Sequence, residues 1–111
     1  MTQEEFNEIL KRHKLWLDSD GVYGQKAKLD CVNLRFCNLK GVDFRNADLR
    51  NADFFNANLS FANFEEANIE GANLSGADLS NANFKLSNLI NVNFQGANIE
   101  GAIGLPKGLN S

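Results

Sequence analysis

The chain has 111 residues, with 11 basic and 14 acidic side chains and a formal net charge of −3. That length is a prior for one domain with one modest core, and 43% hydrophobic residues mark a globular rather than a disordered chain. The negative balance excludes a basic nucleic-acid binder, and apolar runs of only a few residues leave no membrane span.

Residues 1–26 are expected to form a helix and the turn after it. Thr2-Gln3-Glu4-Glu5 is a capping box, in which Thr2 accepts from the backbone and Glu5 reaches back. Phe6, Ile9, Leu10, His13, Trp16 and Leu17 then fall on one stripe at helical spacing. Asp18 to Gly24 ends the helix, with Gly21 as the stop. Glu4, Glu5, Glu8, Lys11 and Arg12 interrupt the apolar stretch a signal peptide needs, so a cytoplasmic location is expected.

From Ala27 to Ala102 the pattern changes to a period of five. Every fifth residue from Leu29 to Ile99 is Leu, Ile or Phe, and the residue two before it is small, as in Ala47, Ala52 and Ala57. Between them stands Asn or Asp at every position from Asn33 to Asn98. A helix repeats its apolar residues at three and four, and a strand alternates without resetting, so neither fits. Two inward and three outward residues per five describe one side of a square coil. Four sides make a turn of 20 residues, and turns stack at about 4.8 Å. About four coils follow, in a rod roughly 19 Å long on that spacing.

Residues one coil apart then stack. Phe44, Phe64 and Phe84 form an aromatic ladder, and Leu34, Phe54, Leu74 and Phe94 alternate aliphatic with aromatic. All five of these phenylalanines are expected in the core, where interlocking shapes fill a solenoid's centre.

Ala-Asn-Leu-Ser at 57–60, Ala-Asp-Leu-Ser at 77–80 and Ala-Asn-Phe at 82–84 resemble the pentapeptide-repeat family. The resemblance covers residues 27–102 and implies an all-β solenoid, the right-handed quadrilateral β-helix; the handedness comes from the resemblance alone. It implies little about function. Some members of the family are acidic rods that imitate duplex DNA and bind type II topoisomerases such as DNA gyrase, which confers quinolone resistance.

Both ends of a solenoid expose strand edges that need covering. The helix of residues 1–26 is expected to cap the first coil around Leu29 and Leu34. The tail, residues 103–111, is expected to bend Ile103, Leu105 and Leu109 over the last coil, with Pro106 stopping further pairing. A monomer is the favoured state, with an end-to-end homodimer as the alternative.

Catalytic chemistry is not expected, nor is any cofactor or metal. His13 is the only histidine and belongs to the apolar stripe, where packing is the expected role. Cys31 and Cys37 lack metal-site spacing and are read as a reduced pair. The Asn and Asp column lacks the glycine-rich turns of calcium-binding solenoids, and its side chains are expected to bond neighbouring turns of backbone.

The outward charges suggest how coils are matched. Arg45, Glu65 and Lys85 share one column, and Asp30, Arg50, Glu70 and Ile90 share another, so opposite charges are expected to pair between coils. Residues 29–101 hold nine acids and five bases, a net of −4, too few negatives for a DNA mimic of about 19 Å, which would need about eleven. Phe36 and Phe55 near Arg35, and Leu86 with Ile90, break the polar rule of the outer positions. These five form the candidate surface for a protein partner of unknown identity, since aromatics beside Arg are favoured at interfaces. For Phe36 the competing expectation is burial under the helix. The function expected is a rigid, non-catalytic protein-interaction module.

Overall fold

The computed structural model describes residues 1–109. One helix, α1 (Gln3–Asp18), precedes a coil that continues to the end of the described chain. Both halves of the Thr2/Glu5 capping box form, and Thr2 Oγ1 accepts the Glu5 N–H at 3.1 Å. Gly21 donates its N–H to the Trp16 carbonyl at 2.8 Å with a left-handed φ of 84°. Among the described residues no helix is long and apolar enough to cross a membrane.

After α1 every backbone bridge is parallel and joins residues 20 apart, from Lys28 with Asp48 to Asn83 with Ile103. The pairing therefore reaches one residue into the segment expected as a tail. Beyond it, Leu105 and Leu109 lie half-buried against the core, while Ile103 is exposed. The last two residues of the expected tail, 110 and 111, lie outside the described residues.

One repeat accounts for all five of its backbone donors, as a buried backbone requires. Leu49 N–H bonds the Asn68 carbonyl and Asn51 N–H bonds the Glu70 carbonyl, both on the following coil. Ala52 N–H closes a turn on the Leu49 carbonyl, and Asp53 N–H reaches the Val32 carbonyl on the preceding coil. The fifth donor, Arg50 N–H, bonds Asp48 Oδ1 two residues back. That last bond explains the Asn and Asp column. Only a short side chain ending in an acceptor can close an Asx turn, and the same bond recurs from Asn33 to Asn98.

The turn carries a second requirement that the periodic pattern did not reveal. The residue two after each large core residue adopts a left-handed conformation: Asn51 (φ 58°), Asn56 (φ 54°) and Gly76 (φ 67°). With the three-residue turn bond, this is the signature of a type II turn, whose third residue favours Gly or Asn. Stacking adds a steric reason for some of the glycines. A Cβ on Gly76 would collide with the Asn56 amide oxygen of the coil before it.

The core is the stack of inward residues. Phe44, Phe54, Phe64 and Phe84 are completely buried, as are Leu49, Leu59, Ile69, Leu74 and Leu79, and Phe94 is nearly so. Phe64 stacks 5.7 Å from Phe44 and 4.9 Å from Phe84, while Phe54 meets Phe64 edge-on at 6.2 Å. The buried alanines let adjacent sides close on this column.

Surface charges pair differently from the sequence expectation. Arg45 turns back on Asp43 of its own repeat, with Nη2 at 2.7 Å from Oδ2, and Arg50 forks onto Asp48 in the same way. Among the described residues neither pairs with Glu65 or Glu70 of the next coil. Asp43 and Asp48 are already fixed by their Asx turns, so an Arg two residues on reaches a preorganised carboxylate at less entropic cost.

Candidate interaction surface

Three of the five candidate residues come together at one corner. Arg35 and Phe55 occupy equivalent positions on successive coils, and Phe36 is the corner residue after Arg35. The Phe36 and Phe55 rings meet edge to face at 5.5 Å. The Arg35 guanidinium lies over the Phe55 face at 4.7 Å and 5.9 Å from the Phe36 centroid. Its Nη1 is 3.5 Å from Asp53 Oδ2. Asp53 is held in turn, accepting from the Phe55 N–H and from the Asn73 side chain. The cluster is thus built from the rigid coil outward, with cation–π and aromatic contacts that each contribute of order 1 kcal/mol.

Phe36 is not covered by α1: it is 66% exposed, while Phe55 is half-buried. Its corner has a φ of 63°, where an aromatic side chain is strained. Phe61, 57% exposed with φ 61°, stands at the next corner, and Lys40 Nζ lies 5.8 Å above its ring. The Lys40 contact was missed from the sequence. The signal was the 20-residue offset that puts Lys40 one coil above Ser60, beside Phe61.

Leu86 and Ile90 do not join this cluster. Both are exposed, but Leu86 stands in the column of Asn46 and Glu66, half a coil from Phe36, and Ile90 stands in the column of Arg50 and Glu70, just before the left-handed corner at Asn91. Leu86, at φ 59°, shares the strained corner geometry.

The remaining reactive side chains have structural surroundings. His13 is completely buried; its Nδ1 accepts from the Ala27 N–H at 2.9 Å, and its Nε2 lies 2.8 Å from the Arg45 carbonyl. Burial holds its pKa below the ordinary imidazole value, against the opposing effect of the Arg45 carbonyl bond. Cys31 is exposed, Cys37 is half-buried, and both are free thiols.

The Pentapeptide repeats family model matches residues 33–71 and 67–103, with 8 copies of the repeat. The chain is a member of the pentapeptide-repeat family. This pentapeptide-repeat protein is similar to a solved pentapeptide repeat protein of the Arabidopsis thaliana thylakoid lumen, at 37% identity and a TM-score of 0.57. That match covers 73% of this chain and 52% of the other. HetL, a pentapeptide repeat protein involved in heterocyst differentiation regulation in the cyanobacterium Nostoc, matches at 26% identity and a TM-score of 0.46, over 78% of this chain and 50% of its own. QnrB1, a plasmid-mediated fluoroquinolone resistance protein, matches at 21% identity and a TM-score of 0.38, covering 71% and 46%. The chain thus spans about half the length of these solved relatives. No curated protein sequence matches it. The family and the stacked pairing together make the chain a β-helical solenoid.

Proposed function

We propose that this protein is a rigid, non-catalytic interaction module of about four coils, capped by α1, that binds a protein partner through the corner of Arg35, Phe36 and Phe55. One observation carries the reading. Phe36 is a bulky apolar residue held exposed in a left-handed corner, where neighbouring coils place Asn or Gly. Such a residue adds backbone strain and leaves its ring in water, so stability does not account for it. An exposed aromatic beside a fixed guanidinium is the usual composition of a binding hot spot. The module works as a monomer in the cytoplasm in this reading, without cofactor or metal.

The competing reading, an acidic imitation of duplex DNA that binds DNA gyrase, draws on the nine acids between residues 29 and 101. Ion pairs with Arg45, Arg50 and Arg35 engage Asp43, Asp48 and Asp53, three of those nine. The charge left along the rod is well short of a duplex's. A gyrase supercoiling assay separates the two: the interaction-module reading expects no inhibition or protection at micromolar protein.

The direct experiment is a pull-down from the source organism's lysate with wild type and with the double variant Phe36→Ser/Phe55→Ser. A partner retained by wild type and lost by the folded variant supports this surface. A partner held equally by both moves the site elsewhere on the rod.

A further inference from the structure

The first coil has no coil before it, and its edge shows what α1 does in place of one. Within the solenoid the Arg50 carbonyl accepts from the N–H of Cys31, 19 residues earlier. By the same register the Arg45 carbonyl would accept from the backbone of residue 26. The His13 side chain, on α1, makes that bond instead. The other ring nitrogen accepts from the N–H of Ala27, the residue at which the coil begins. One imidazole therefore donates to the coil's edge and accepts from its first residue.

This double bond requires the neutral ring. Nε2 faces a carbonyl and carries the proton, and Nδ1 faces an N–H and must be bare. Protonating Nδ1 would set two donors against each other at 2.9 Å and place a charge in a completely buried site. Three charged groups face the ring: Asp43 and Arg45 from the coil, and Lys26 from the segment after α1. Asp43 favours the cation, but its carboxylate is held in a two-pronged pair with Arg45, and both Arg45 and Lys26 oppose it. On α1 itself the ring stacks on Trp16 at 6.0 Å.

Besides His13, the helix is held by Phe6, its other buried side chain, by the half-buried Ile9, Leu10, Trp16 and Leu17, and by the Gln25 N–H bond to the Arg12 carbonyl; none of these titrates in the imidazole range. An open groove of about 630 Å³ runs along the N-terminal end of α1 beside Lys28–Leu34 of the first coil.

We infer that His13 is an acid-sensitive latch: the neutral imidazole fastens α1 over the first coil, and its protonation releases the helix and uncovers the coil's edge. The released edge offers the carbonyls of Asn38, Asp43 and Arg45 and the apolar side chains of Leu39 and Val42, which border α1. The latch holds at neutral pH and weakens as pH falls below the ordinary imidazole value of about 6.5.

The test is amide hydrogen exchange, followed with Trp16 emission, on the whole protein from about pH 7.5 to about pH 5, across the imidazole range. The expected result is at least a tenfold loss of protection at Ala27, with a red shift of Trp16, while Phe64 and Leu79 in the coil keep theirs. In His13→Gln, whose amide can donate and accept but does not titrate, Ala27 protection should be independent of pH. Ala27 protection that stays constant in wild type while the His13 ring titrates would overturn the inference. So would the same loss in His13→Gln, which would assign it to the carboxylates. Loss of Ala27 protection together with that of Phe64 and Leu79 would overturn it as well, since the whole coil would then be unfolding.

Discussion

The Phe64 ring lies flat on Phe84, with centroids 4.9 Å apart and planes within 4° of parallel. It also meets Phe54 edge-on and Phe44 at 5.7 Å, so one ring ties together three coils. Phe64→Ala removes a completely buried side chain from a stack that cannot collapse sideways, because the backbone ladder fixes the coil spacing. The expected loss is about 3–5 kcal/mol. Denaturant unfolding of the variant checks it, and an unchanged midpoint would show that this stack does not carry the core.

Leu86 offers the opposite sign. It is 79% exposed and sits in a left-handed corner at φ 59°, below Asn46 and Glu66 of the same column. Leu86→Asn relieves the backbone at little cost in buried area and should stabilise the protein by about 1 kcal/mol. Thermal melting measures it. A lower melting temperature would mean that the Leu86 side chain contributes packing despite its exposure.

Acid should expose the two Arg–Asp forks. The Arg50 side-chain bond holds the Asp48 carboxyl below its ordinary value, against the effect of burial. At Asp43 burial works against the charge, and the Arg45 bonds outweigh it. Both native carboxyls therefore bind protons less readily than their unfolded counterparts. Their stabilisation is complete above the unfolded value of about 3.9 and is lost as pH falls through the lower native values. Asp48→Asn keeps an oxygen for the Arg50 N–H, so its cost at neutral pH should be below about 1 kcal/mol. Its stability below about pH 4 should then fall less steeply than that of wild type. Equal acid slopes would place the linkage at other carboxylates.

Gly104 marks where the coil is left. At φ 84° its backbone lies directly against Phe84 and Lys85, and an added Cβ would strike their backbone atoms. Gly104→Ala combines that collision with left-handed strain and should cost about 1–3 kcal/mol, unseating Leu105 and Leu109 from the last coil. Exchange protection at Ala102 and Ile103, whose N–H groups bond the Ile99 and Ala82 carbonyls, reports it; full protection in the variant would show that the tail can be carried another way.

The sequence by itself determined the coil. A large residue every five, a small one two before it and Asn or Asp between them leave one arrangement that buries the first two and satisfies the backbone with the third. The same period stacked Phe44, Phe64 and Phe84 and put Phe55 one coil from Arg35, in the column next to that of Phe36. It also identified the capping box at Thr2 and Glu5, because that motif is local. What it could not decide were choices between neighbours of similar energy. Whether Arg45 turns to Asp43 or to Glu65, and whether Phe36 lies under α1 or in water, depends on side-chain directions that a periodic pattern leaves open. The left-handed corner was present in the sequence as a column of Asn and Gly, but Cys31, Phe36, Phe61, Glu66 and Leu86 interrupted it. Only the tertiary structure placed His13, whose partners Ala27 and Arg45 lie 14 and 32 residues along the chain. Its buried, doubly bonded ring is set by how a helix meets a coil edge, and no repeat encodes that meeting.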